Sequence, residues 1–140
     1  MIYIDTSVLV AFYYPEPLSG KAEKVVRSEV RPAISRLTEV EFFAAISRKF
    51  REGNLVAKDA RKIMGLFRSH VDAGNYTLLS LDASHFQAAR DRIGSLLHPL
   101  RTLDALHLAL SEASGRELVT SDPPLARTAR ALRVPVRFIR

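Results

Sequence analysis

Four acidic side chains, Asp5, Glu41, Asp104 and Asp122, stand where an α/β chain would assemble chemistry. Asp5 ends the β-prone run Ile2-Tyr3-Ile4 and is followed by Thr6 and Ser7, and Asp122 closes the run from Glu117 to Ser121. A buried strand that delivers a carboxylate at its C-terminal end is a common foundation for a site. Glu41 lies about two turns into a helical segment that Ser35 opens, and Asp104 lies in the first turn of another. In a doubly wound sheet such positions gather in the crevice beyond the carboxyl ends of the strands. Carboxylates gathered there repel one another and raise each other's pKa. A divalent cation removes that conflict. With neither cysteine nor a histidine pair among the donors, oxygen ligation points to Mg²⁺ or Mn²⁺ rather than zinc.

Each acid also has a purely structural account. Asp5 can cap a turn or helix start, and Asp122, directly before Pro123, has the pattern of an N-cap with proline at the first helical position. Glu41, among Val40, Phe42, Phe43, Ala44 and Ala45, lies either on a narrow solvated stripe or partly buried with a purpose. Thr38 precedes it by one turn on the same face. The helix dipole favours an acid at Asp104 by roughly 0.3–1 kcal/mol. His107, one turn beyond Asp104, either orients a carboxylate or is a satisfied core histidine, and the second is the commoner case. Taken singly each acid is ordinary; their joint placement argues for a site.

The elements that must position these groups follow from periodicity and turn residues. Pro15 and Pro17 mark a turn, and Ser19 to Val30 has helical spacing with Ala22, Val25, Val26 and Val30 inward. Pro32 to Ile34 is a short strand. A helix then runs from Ser35 to about Phe50, carrying Leu37, Val40, Phe43, Ala44 and Ile46, and Gly53 stops it. A second helix covers about Val56 to Val71, with Ala60, Ile63, Met64 and Phe67 at helical spacing, so the two form an αα-hairpin. Tyr76 to Leu81 is a strand, and Asp82 caps a helix running to about Leu97. His98-Pro99 breaks the pattern. Thr102 caps Leu103 to Ser114, closed by Gly115; this stretch is apolar nearly all round and therefore buried. Glu117 to Thr120 is a strand, Pro123 to about Leu132 a helix, and Val136 to Ile139 the last strand. Alternation of this kind predicts a parallel sheet with helices on both faces.

The chain has 140 residues, of which 47% are apolar, enough for one domain over 1–140 with a proper core. It contains no cysteine, which rules out a disulfide framework and thiolate metal sites and suits a cytoplasmic protein. Asp5 interrupts what would be the apolar core of a signal peptide, and no apolar run approaches the roughly 20 residues that span a bilayer. A soluble protein is expected. Twenty-one Lys and Arg against fifteen Asp and Glu give a formal charge of +6, which favours an anionic partner, most commonly nucleic acid; a merely basic surface or an acidic protein partner accounts for the charge equally well.

With these residues in place the chain resembles the PIN domain, and within it the toxin ribonucleases of bacterial VapBC-type toxin–antitoxin pairs. The resemblance rests on I-Y-I-D-T-S-V-L (Ile2 to Leu9), S-R-L-T-E-V-E (Ser35 to Glu41), L-R-T-L-D-A-L-H-L-A (Leu100 to Ala109) and L-V-T-S-D (Leu118 to Asp122). P-V-R-F from Pro135 also fits. Each motif is short; their order and spacing together are specific. The resemblance implies a three-layer α/β/α sandwich around a five-stranded parallel sheet. It also implies catalytic and metal-binding roles for Asp5, Glu41, Asp104 and Asp122, with Thr6, Ser7, Thr120 and Ser121 as supporting hydroxyls. The implied function is Mg²⁺- or Mn²⁺-dependent hydrolysis of RNA by a homodimer that a small VapB-like antitoxin inhibits. Arg36, Arg48, Lys49 and Arg101 are the candidates for holding the RNA backbone.

Two rivals keep the fold: a PIN nuclease of RNA processing that is not a toxin, and a module that binds RNA or protein without cutting. Phosphoryl transfer at Asp5, as in receiver domains or haloacid-dehalogenase-like phosphatases, fits poorly. Thr6 and Ser7 stand where a second acid is wanted, and no lysine follows Lys62.

Overall fold

Three apolar residues, Ile2, Tyr3 and Ile4, make the strand β1 (Ile2–Ile4), and around it the computed structural model, which describes residues 1–140, arranges everything else. β2 (Ala33–Ser35) and β3 (Thr77–Leu79) lie to one side, β4 (Glu117–Thr120) and β5 (Val136–Phe138) to the other. The sheet is wholly parallel in the order β3-β2-β1-β4-β5. Tyr3 lies opposite Ala33 on one neighbour and Leu118 on the other. The chain builds outward from β1 in one direction and then returns to build in the other. The switch point therefore falls between β1 and β4, where an open α/β sheet leaves a crevice at its carboxyl edge.

Alternation along the strands sorts the core into two layers. Ile2, Ile4, Ile34 and Val119 face a cluster that includes Val8, Leu9, Phe42, Ile46 and Phe67. These come from α1 (Thr6–Tyr13), α3 (Arg36–Arg51) and α4 (Ala57–Asp72), with α2 (Ser19–Val26) adding Ala22 and Val26. Tyr3, Ala33 and Leu118 point the other way, against Leu108 and Leu110 of α6 (Thr102–Ser114) and Leu125 and Ala129 of α7 (Pro123–Ala131). α5 (Ala83–Gly94) packs on α6 through Ala89, Ala105 and Leu106. The result is the expected α/β/α sandwich. Each fully buried Leu or Ile in these layers contributes about 1.5–3 kcal/mol relative to exposure.

Several boundaries differ from the expectation. The helix expected to reach Val30 ends at Val26, and Val30 is 96% exposed rather than inward. Pro32 bars a helical conformation just beyond, and the chain has to straighten into β2. The helix expected to reach Leu97 ends at Gly94; Leu96 takes a left-handed φ of 59°, and Leu96 and Leu97 face solvent. Val40, placed on the inward side of its helix, is exposed, and Phe42 is buried instead. The strand expected over Tyr76 to Leu81 is confined to Thr77–Leu79. Thr102 is the first residue of α6 and not its cap; Arg101 occupies the N-cap position without a side-chain cap bond. Ser35 does cap α3, accepting from the Thr38 N–H while the Thr38 hydroxyl accepts from the Ser35 N–H. Gly115, at φ 64°, ends α6 as expected. No helix is long and apolar enough to cross a membrane.

Candidate active site

The Asp5 backbone N–H continues the β1–β4 pairing by one step, donating to the Val119 carbonyl at 2.9 Å. This fixes the carboxylate at the switch point. Its Oδ2 accepts from Ser7 Oγ at 2.7 Å and from Thr120 Oγ1 at 2.8 Å. The same two hydroxyls receive backbone donors from the loop after β4: Ser121 N–H reaches Ser7 Oγ and Asp122 N–H reaches Thr120 Oγ1, both at 3.0 Å. Two strand ends are thereby stitched around one carboxylate. Asp5 and Asp122 both occupy N-cap positions, of α1 and α7, but neither side chain makes a capping bond. The structural account that suffices for each in the sequence is therefore not realised by the side chain.

Glu41 is held from two directions. Thr6 Oγ1 donates to its Oε1 at 3.1 Å, and His107 Nε2–H donates to the same oxygen. His107 is 1% exposed, and its Nδ1 shares a 2.6 Å hydrogen bond with the Tyr3 hydroxyl, which donates in turn to Ser35 Oγ at 2.9 Å. Burial by itself would lower the imidazole pKa. The bond to Glu41 and the negative charges of Asp5, Glu41 and Asp104 outweigh it, so the net shift is upward and the imidazolium is favoured. Burial also pushes the Tyr3 hydroxyl well above its usual range, so it remains a neutral bridge between the histidine and the cap of α3. His107 thus orients a carboxylate. The commoner alternative, a core histidine with no bearing on the acids, is set aside by this geometry.

The last two acids share one cation. Arg101 donates from Nε to Asp104 Oδ2 at 2.8 Å and from a terminal nitrogen to Asp122 Oδ2 at 2.9 Å. Its own side chain is 73% exposed. Partial burial raises the Asp104 pKa, Arg101 opposes that, and the charges of Asp122 and Asp5 add to it. Reciprocally, the bond to Asp104 and the attraction of both carboxylates raise that of Arg101.

All four acids line one cleft of about 700 Å³, together with Arg48, Lys49 and Arg101. Arg36 is not among its walls; it pairs with Glu39 at 2.9 Å on the outer face of α3. Thr6, Ser7 and Ser121 also line the cleft, while Thr120 is buried beneath Asp5. The donor chemistry fits a hard divalent cation: carboxylate oxygens with no thiolate, and an imidazole already engaged by Glu41 and Tyr3. Asp104 feels both Asp5 and Asp122 electrostatically, as a shared ligand set requires. As they stand, no three of these side chains close around a common point. The Arg101 guanidinium bridges Asp104 and Asp122 instead, placing positive charge among the acids. Being largely exposed, it is held there by these two ion pairs and not by packing.

Asp5 and Asp122 are legible in the sequence because each ends a strand, while Glu41 and Asp104 lie inside α3 and in the first turn of α6. The support under Glu41 was only half visible. His107, three residues after Asp104, gave a signal, but Tyr3 in the middle of a strand gave none. Arg101 is legible in the sequence as a contact for an anionic ligand, but its bridge between Asp104 and Asp122 emerges only in the fold.

The PIN domain family model matches residues 2–131. Among solved structures, VapBC2 from Rickettsia felis bound to a DNA fragment from its promoter is similar at a TM-score of 0.71 and 14% identity, with 100% of each chain covered. VapC20 of Mycobacterium tuberculosis, a Sarcin-Ricin loop cleaving toxin, is similar at a TM-score of 0.71 and 16% identity, covering 91% of this chain and 95% of that one. A toxin–antitoxin complex from Klebsiella pneumoniae gives 0.64 and 16%, covering 90% and 91%. At these identities the likeness is one of fold. No curated protein matches the chain in sequence.

Proposed function

This chain belongs to the PIN domain family, and from that premise we propose that it is a metal-dependent endoribonuclease of the toxin–antitoxin type. It hydrolyses RNA phosphodiester bonds and is neutralised by a cognate antitoxin. The observation that carries this reading is the gathering of Asp5, Glu41, Asp104 and Asp122 in one cleft edged by Arg48, Lys49 and Arg101. Support for the toxin assignment comes from the structures of like fold, among them a toxin–antitoxin complex and a toxin that cleaves the Sarcin-Ricin loop.

Asp5, Asp104 and Asp122 would hold Mg²⁺ or Mn²⁺, with Glu41 beside them. Such a cation, when bound, supplies Lewis acidity toward the phosphate and lowers the pKa of water. Ser7 and Thr120 keep the Asp5 carboxylate from rotating, and Thr6 with His107 does the same for Glu41. Glu41, so clamped, orients the attacking water. The water oxygen bonds to phosphorus as the bond to the 3′-oxygen breaks, leaving a 5′-phosphate and a 3′-hydroxyl. Arg48, Lys49 and Arg101 offset the charge of the acids and hold the polyanionic backbone.

Purified protein incubated with total RNA should generate new 5′-phosphate ends with Mg²⁺ and none with EDTA. Asp5→Asn should abolish cleavage at unchanged circular dichroism; equal activity at matched purity would remove Asp5 from the reaction. Growth arrest on expression, relieved by an antitoxin encoded immediately upstream, separates a toxin from an RNA-processing nuclease. The same reading carries homodimerisation, which light scattering checks.

A further inference from the structure

A second cavity, of about 620 Å³, adjoins the acid cleft, and the wall between the two is Arg101 with Asp104. One side is the loop joining α5 to α6, through His98, Pro99 and Leu100; the other is α7, through Pro124, Leu125, Arg127 and Thr128. We propose that this cavity is a nucleotide subsite, taking the base and the outer phosphate of the RNA residue that flanks the scissile phosphate. The proposal rests on the nuclease reading above.

The chemistry of the walls selects that ligand. Pro99, Leu100 and Pro124 present apolar surface of the kind that covers the faces of a base, with the core residue Leu125 beneath, and the volume falls in the range of small-molecule sites. Thr128 is 6% exposed and lines the cavity. A threonine hydroxyl on the cavity wall can donate to or accept from a base edge. Arg127 and His98 also line the cavity and form no ion pair, unlike Arg101 beside them. Arg101 stands on the ridge between the cavities. A strand whose scissile phosphate lies among the acids therefore passes this guanidinium, and its next residue descends between Pro99 and Pro124. Arg127 then meets the following phosphate.

The test is steady-state cleavage of a short single-stranded RNA of randomised sequence in Mg²⁺ at several salt concentrations, with the product ends sequenced. Arg127→Ala should raise KM about tenfold while kcat stays within about twofold, as expected for loss of a charge-assisted phosphate contact. It should also reduce the salt slope of log kcat/KM by about one. Thr128→Val, nearly the same shape, should change the base preference at the position flanking the cut. Arg61→Ala, outside both cavities, serves as the control. Wild-type cleavage with Arg127→Ala and Thr128→Val matching the control would overturn the subsite and leave the nuclease standing. That result is also expected if the cavity receives a protein segment instead of RNA. No cleavage by the wild type would overturn both.

Discussion

Arg101 gives the residue scale its sharpest test, because it places a monovalent cation where a divalent one is proposed. Both its pairs are largely solvent-exposed on the arginine side, so each is worth no more than about 1 kcal/mol. Arg101→Ala should therefore tighten Mn²⁺ binding by a few-fold in titration calorimetry, on the order of what losing one or two exposed pairs allows. Unchanged or weaker Mn²⁺ affinity would show that the guanidinium does not compete for the site. His107 lies at the opposite extreme, buried and bonded on both ring nitrogens. His107→Ala should cost about 2–4 kcal/mol in denaturant unfolding, by leaving a cavity and stripping Glu41 and Tyr3 of a partner. Asp122→Ala, on the rim, should cost far less. The contrast explains what the sequence could reveal. An acid at the end of a strand announces itself by position, whereas the value of His107 depends on a tyrosine 104 residues away that only the fold brings near.

Among the elements, α3 carries Glu41 and depends on its first turn. Ser35 accepts from the Thr38 N–H at 3.1 Å and from the Tyr3 hydroxyl at 2.9 Å. Ser35→Ala should destabilise the protein by about 1–2 kcal/mol, the usual range for a lost cap, and should reduce activity by loosening Glu41. Wild-type stability in urea would show that the cap is dispensable. The strands and most helices were legible because apolar spacing and caps agreed, as for Glu117–Thr120 and for Gly115 at the end of α6. Two misplaced ends are alike. In Val26–Val30 and Gly94–Leu97 apolar residues continue at helical spacing after the helix has ended, in the loops that lead to Pro32 and Pro99. Periodicity alone cannot see that the last valine or leucine has nothing to pack against.

At the scale of the whole molecule, three buried tyrosines tie the layers together and set a limit at high pH. Tyr13 and Tyr76 share a 2.8 Å hydrogen bond across α1 and the β3 approach. Burial pushes Tyr76 up to about 12, against a relieving bond from Tyr13. Burial followed by the neighbouring Tyr76 raises Tyr13, and burial raises Tyr3. Because these folded-state values exceed the unfolded value near 10, the folded chain keeps protons that the unfolded one loses above that pH. Stability is then full below pH 10 and falls as pH rises from about 10 through 12, by about 1.4 kcal/mol per pH unit for each such proton. Tyrosinate absorbance should therefore rise together with loss of helical circular dichroism; a separate, earlier ionisation of these groups would contradict the burial. The α/β/α layering was legible from the alternation of strand and helix. The order of strands was not, since nothing local in β1 states that it pairs with β4 as well as β2.

That order has a consequence for biosynthesis. β1 precedes the other strands in sequence and lies at the centre of the sheet, and the carboxylate at its end is locked by a hydroxyl of β4, 115 residues later. A nascent polypeptide released before Glu117 lacks that partner strand and Asp122, so it should be inert toward RNA at any concentration. On the proposed reading, the capacity to cut RNA would thus arise only once β4 has joined β1.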